Sequence, residues 1–119
     1  RIIRMKRLAL LILLFHPPAY SAPEALKKAI LMCESSNMHY EPHSKRVRFG
    51  DDGISRGVAQ FRKETFYEQA AVAKKDGTWP FGKPRWFSEE QQLWLLNDML
   101  DRGMCKRWTC CRKLMKPMD

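Results

Sequence analysis

The chain has 119 residues, 22 Lys and Arg against 13 Asp and Glu, a formal net charge of +9, and 45% hydrophobic content. That length holds one small domain, and the apolar share is enough for a core, which excludes a multidomain assembly and a wholly disordered chain. A basic balance is the footprint of phosphate binding, so nucleic acid enters as a partner class only if the charges lie on the working domain.

Four cations precede Leu8. Arg1, Arg4, Lys6 and Arg7 lead into the apolar run Leu8 to Phe15, followed by His16-Pro17-Pro18-Ala19-Tyr20-Ser21-Ala22. A basic n-region, a short apolar h-region and a small-x-small site predict a secretory signal peptide over residues 1–21, with cleavage after Ser21 or after Ala22 and Met5 as the expected start. The run falls short of the ~20 residues that cross a bilayer, and no Cys stands at the cleavage site to carry a lipid. Removing 1–21 leaves 18 basic against 13 acidic residues, or +5, on a domain of residues 22–119. A secreted domain of that charge meets anionic polymers of an envelope rather than genomic DNA.

The first helix is expected to begin near Pro23, a favourable first-turn residue, with Leu26, Ala29, Ile30 and Cys33 as its buried stripe. Ser35, Ser36 and Asn37 end the pattern. Residues 45–61 read as a β-hairpin, in which Gly50-Asp51-Asp52-Gly53 makes the turn and Ile54 to Phe61 leaves it. A second helix is predicted over Lys63 to Lys74, with Phe66, Ala70 and Ala73 on one face and Gly77 past its end. Trp79, Phe81, Trp86 and Phe87, interspersed with Pro80, Gly82 and Pro84, form an aromatic loop. Ser88 and Gln91 make a capping-box pattern for a third helix, buried through Leu93, Leu96, Met99 and Leu100 and stopped at Gly103. The tail, with three cysteines and Trp108, is expected to fold back on the domain to about Cys111. The fold class is α+β, mostly helical, with a small sheet.

Cys33, Cys105, Cys110 and Cys111 all lie after the cleavage site, and an oxidising compartment makes disulfides the default. The rival is a zinc site from His39, His43, Cys105 and Cys110, but Pro42 between the histidines spoils a helical pair. A bridge from Cys33 to Cys110 or Cys111 would close a loop of more than seventy residues, worth roughly 4 kcal/mol in the chain-entropy model. Four cysteines allow three pairings, and the spacing alone leaves them open.

Glu34 stands one position beyond the apolar stripe, at the negative end of the first helix. Burial and the helix dipole both disfavour its ionised form, so its pKa is expected to rise. A carboxyl kept protonated near neutral pH is the group that protonates a glycosidic leaving oxygen.

The string Ile30-Leu31-Met32-Cys33-Glu34-Ser35-Ser36-Asn37 resembles the catalytic helix end of the lysozyme-like superfamily. Gly57-Val58-Ala59-Gln60-Phe61 with Thr65-Phe66, then Ser88-Glu89-Glu90-Gln91-Gln92, then Gly103, Trp108 and Cys110, continue the series in order. The similarity is to soluble lytic transglycosylase domains and to the catalytic domain of resuscitation-promoting factors. It implies a small lysozyme-like domain that cuts peptidoglycan between N-acetylmuramic acid and N-acetylglucosamine, with Glu34 as general acid/base. It also implies a Cys33–Cys110 bridge, leaving Cys105 and Cys111 as a second pair or as free thiols. Gln60 and Thr65 match cleft-lining family positions. Ser35 follows the acid, Ser55 stands at the exit of the hairpin turn, and Tyr40, Trp79 and Trp86 offer rings for sugar stacking. With Ser35, Tyr40, Ser55, Gln60 and Thr65 as the substrate-contacting set, no metal and no cofactor is required. Asp51 and Asp52 are the one acidic pair able to face Glu34, and they read first as turn residues.

Three departures stand out. Lys63 replaces a common Pro, the Ala-Tyr-Asn-Ala-Gly segment is absent, and Arg62 occupies a position that is acidic in some resuscitation-promoting domains. Transglycosylase and hydrolytic lysozyme therefore both stay open, with a non-catalytic peptidoglycan-binding module behind them. The expected partner is the glycan strand, met by a monomer in the periplasm or outside the cell, without nucleic acid or stable membrane insertion.

Overall fold

The computed structural model describes residues 21–50 and 52–116, so the expected signal segment, apart from Ser21, lies outside the described residues. Four helices follow in order: α1 (Glu24–Ser35), α2 (Lys63–Lys75), α3 (Glu89–Asp101), and, after a 3-10 turn at Cys105–Arg107, α4 (Thr109–Leu114). Among the described residues no helix is long and apolar enough to cross a membrane.

Pro23 stands just outside α1 as its N-cap, so the helix begins one residue later than the sequence pattern suggests, and the Pro23 carbonyl accepts from the Leu26 and Lys27 amides. The buried face of α1 is also rotated from the expected stripe. Ile30, Lys27 and Ser35 are buried, whereas Cys33 faces the surface. Lys27 is tolerated inside because its ammonium reaches Glu24 at 3.6 Å and Asp101 at 3.7 Å while its stem packs. Ala22, 5% exposed, is fixed ahead of the helix by its amide, which donates to Asp101 Oδ1 at 2.8 Å.

Helices α2 and α3 pack against each other, and α1 packs against α4. Phe66, Ala70 and Ala73 are buried along α2 as their spacing predicts. In α3, Leu95 and Gln92 are buried beside Leu96, Met99 and Leu100, while Leu93 is only half-buried. Ser88 Oγ accepts the Gln91 amide, one half of the expected capping box. The reciprocal half is not made, because the Gln91 side chain turns to the aromatic loop, accepting from the Arg85 amide and donating to the Lys83 carbonyl. Gly103 closes α3 with φ at 79°, and its amide and that of Met104 bond back to Leu100 and Met99 in the pattern of a Schellman stop.

The segment between α1 and α2 departs from the expected hairpin. Its pairing consists of isolated bridges, Tyr40 with Val47, Phe49 with Arg56, and Arg56 with Phe61. A continuous ladder is prevented by the turn chemistry. Asp52 Oδ1 accepts the amides of Ile54 and Ser55, and Gly57 and Gln60 take positive φ values of 87° and 53°. Side chains replace the missing strand bonds. His39 Nδ1 accepts the Val58 amide at 3.0 Å and its Nε2 lies 2.6 Å from the Phe87 carbonyl, so Nε2 carries the proton. Gln92, fully buried, accepts from the Ala59 amide and donates to the Arg56 and Trp86 carbonyls. Any side chain at Gly57 would collide with that Gln92 amide.

Two disulfides close the tail. Cys33 pairs with Cys110 across 77 positions and Cys105 with Cys111 across six. Trp108, expected only to pin the tail, donates its indole N–H to the Ala59 carbonyl at 2.8 Å and stacks edge-on to Phe61. Three of the four rival zinc ligands are thus committed elsewhere: Cys105 and Cys110 to bridges, and both nitrogens of His39 to backbone groups.

Candidate active site

The last turn of α1 delivers Glu34 into a cleft of about 720 Å³. Its opposite parts come from distant sequence: the 48–62 loop, the first turns of α2, and the 3-10 turn with α4. The cleft exists because the Cys33–Cys110 bridge brings α4 against the end of α1. The same bridge places the Cys110 amide 3.2 Å from Glu34 Oε1, to which it donates.

Burial is the largest influence on Glu34 and raises its pKa. The Cys110 amide works the other way, the negative charge of Asp52 raises it again, and Lys113 and Arg112 lower it. The outcome is a carboxyl held above the ordinary range.

Asp52 shows the opposite balance. Partial burial resists its ionisation, but the Ser55 amide and hydroxyl, the Ile54 amide and the Arg62 charge outweigh it and bring the pKa down to about 2. Oδ1 receives two amides, and Oδ2 receives the Ser55 hydroxyl at 2.7 Å and the Arg62 guanidinium at 3.5 Å. A carboxylate offers about four acceptor positions; three on Asp52 carry hydrogen bonds, and the Arg62 charge stands beside its Oδ2. One cleft therefore holds a carboxyl inclined to keep its proton and a carboxylate that stays ionised, the separation that assigns acid and anion roles.

Of the sequence-predicted contacts, Ser35, Ser55, Gln60 and Thr65 line the cleft with Glu34. Their immediate partners are internal. The buried Ser35 hydroxyl donates to the Val58 carbonyl at 2.6 Å, Ser55 holds Asp52, and Gln60 Nε2 donates to the Gly57 carbonyl at 2.9 Å. Thr65 is half-buried at the start of α2. Tyr40 is not brought to the site; it lines a shallow groove with Ser44 and Lys45, where the Tyr40–Val47 bridge turns it away. Trp79 and Trp86 pack on the core, Trp79 against Phe66 and Trp94, and Trp86 with its N–H on the Phe61 carbonyl.

Sequence reasoning missed the basic lining. Arg48, Arg62, Arg107, Arg112 and Lys113 all border the cleft, as does Phe49, which is exposed and stacked 3.6 Å from the Arg56 guanidinium. The net charge of the domain was the available signal, but no spacing ties Arg48 to Arg112. No protein-family model matches the chain, no curated protein matches its sequence, and no solved structure matches its fold.

Proposed function

We propose that this domain is a lysozyme-like peptidoglycan-cleaving enzyme that cuts the β-1,4 bond between N-acetylmuramic acid and N-acetylglucosamine, acting as a lytic transglycosylase. The observation that carries the reading is the half-buried Glu34 carboxyl, with raised pKa, in a cleft large enough for sugar rings. The motif order around Gly57, Gln60, Thr65 and Trp108 supports it.

Glu34 donates its proton to the glycosidic oxygen as the C1–O bond breaks, and positive charge develops at C1. The resulting Glu34 carboxylate then takes the proton of the muramyl 6-hydroxyl, whose oxygen bonds to C1. The products are a 1,6-anhydro end and a free 4-hydroxyl; no water is consumed and Glu34 ends protonated. Asp52 favours this course over hydrolysis through a second base. Its low pKa makes it a poor base, and three hydrogen bonds with the Arg62 charge hold its oxygens, so it acts as a fixed negative charge near the developing cation.

Two disulfides fit work in an oxidising envelope compartment, reached by export. The test is fragment release from insoluble sacculi by the full oxidised domain beside Glu34→Gln. We expect fragments with anhydro ends from the native protein and a near-complete loss in the variant. Reducing ends would instead assign a hydrolytic lysozyme. Equal release by both proteins would remove Glu34 from the mechanism, and tight binding without release would leave a glycan-binding module.

A further inference from the structure

We propose that Arg107, Arg112 and Lys113, together with Arg48, form a carboxylate-binding subsite that reads the anionic groups of the substrate, so that strands carrying free carboxylates are preferred over neutral amino-sugar polymer. The inference rests on the glycan-cleaving reading and adds the chemistry by which the strand is chosen.

The charges bordering the cleft are unbalanced: five cations, Arg48, Arg62, Arg107, Arg112 and Lys113, stand against Glu34 and Asp52 among the described residues. Lys27 is paired with Glu24 and Asp101, Arg102 with Asp98, and Arg62 with Asp52. Among the described residues, none of Arg48, Arg107, Arg112 and Lys113 makes an ion pair, yet all four border one cavity. Arg112 is held in place by neutral acceptors, donating to the Lys106 carbonyl at 3.3 Å and to Thr109 Oγ1 at 3.1 Å. A guanidinium positioned this way keeps its full charge and needs little reordering to meet a carboxylate.

Arg48 supplies an independent sign. Its Nη1 is buried and has no hydrogen-bond partner among the described residues. A buried charged donor without an acceptor is costly, and the side chain that carries it borders the same cleft as Arg107, Arg112 and Lys113.

The cations also work against the acid. Arg112 and Lys113 lower the pKa of Glu34, opposing the burial and the Asp52 charge that raise it. Two charges that reduce the protonated fraction of Glu34 are explained by a second duty, and a bound anion would cancel their effect on Glu34 while it is in place. Carboxylates of the peptide stems on a glycan strand have the right charge, and Arg presents a fork that matches them.

The test uses the full oxidised chain and two forms of one polymer: native sacculi, and the same sacculi with their carboxyl groups converted to neutral amides. Co-sedimentation and fragment release are measured separately at fixed ionic strength, with Arg112→Gln/Lys113→Gln as the comparison protein. The native protein is expected to favour unmodified sacculi by about tenfold, and the double variant to lose about tenfold on them while treating both forms alike. Both substituted side chains are exposed, so a preserved melting temperature shows that folding is not the cause. Equal treatment of the two polymers by the native protein, or retained preference in the variant, overturns the subsite. So does displacement by linear polyphosphate that matches displacement by soluble stem peptide, which would mark an unselective cationic patch. Preferential sedimentation without fragments would remove the enzyme and keep the subsite; fragments without preference would do the reverse.

Discussion

The half of the molecule built by α2 and α3 buries Phe66, Ala70, Ala73, Leu95, Leu96 and Met99, side chains that ask for no hydrogen bond. The half that carries the cleft is held differently. Ser35, His39 and Trp108 each tie a side chain to a distant backbone group, Gln92 reaches across from α3 to do the same, and two disulfides fix the tail. Apolar packing tolerates replacement of similar volume, whereas a satisfied polar network admits one geometry. Glu34, the proposed proton donor, sits on the half with one geometry. An acid that depends on being half-buried, and on one amide at 3.2 Å, needs that kind of support.

The largest expected effect separates the acid from its scaffold. Glu34→Gln should lower fragment release by about a thousandfold or more, within the usual range for a lost general acid. It should also stabilise the fold, because a raised carboxyl pKa means that ionisation is disfavoured in the folded state. The sign follows from linkage. Below the ordinary carboxyl range both proteins are neutral at this position and differ little, and as pH rises through the raised pKa the native protein alone loses stability. Melting temperatures from pH 4 to 8 check it; a gap that shrinks with pH would contradict the burial account.

Next comes the bridge that joins the two walls. Replacing Cys33 and Cys110 by Ala should cost about 4 kcal/mol of stability, against about 2 kcal/mol for the Cys105–Cys111 pair, whose loop is far shorter. The long bridge also carries the Cys110 amide, so its loss should depress activity even at temperatures where the domain remains folded. Denaturant melts with parallel rate measurements separate the two losses.

Single substitutions sharpen the contrast between the halves. Leu96→Ala should cost about 3 kcal/mol through its cavity while leaving the rate of the folded protein nearly unchanged. Gln92→Ala should cost about 2 kcal/mol, from three backbone groups left unpaired, and reduce the rate as well, since two of those groups, on Arg56 and Ala59, belong to the loop lining the cleft. Equal rate losses for the two variants would erase the distinction.

The smallest effects are shifts in pH dependence. The proposed mechanism needs Glu34 protonated at the outset, so activity is expected to fall on the alkaline side as pH passes through the raised pKa. Asp52→Asn removes a charge that raises that pKa and should move the alkaline limb to lower pH. Arg112→Gln/Lys113→Gln removes charges that lower it and should move the limb to higher pH. Rate profiles on soluble strands show whether the two shifts run in opposite directions.

What the sequence made legible was local. Ser88, Gly77 and Gly103 mark helix ends by backbone requirements that act within a few residues, and α2 lies within one residue of its expected span. Glu34 was visible because its motif is contiguous. The loop between α1 and α2 was not, because its bonds run from His39 to Val58 and from Gln92 to Ala59, partners 19 and 33 positions apart that no alternation of side chains encodes. Asp52 looked like a turn residue and is one, yet the bonds that make the turn also fix its ionisation. The basic lining was hidden for the same reason as the loop: Arg48 and Arg112 become neighbours of one cavity only after the tail is stapled.

The contact between Ala22 and Asp101 bears on maturation. If residues 1–21 are removed, the Ala22 amide becomes an α-ammonium, already 2.8 Å from a carboxylate oxygen. Cleavage after Ala22 would instead delete a buried residue, and N-terminal sequencing that found Pro23 first would rule the ammonium out. With Ala22 first, processing would exchange a neutral hydrogen bond for an ion pair joining the start of α1 to the end of α3, making the exported form the tighter of the two.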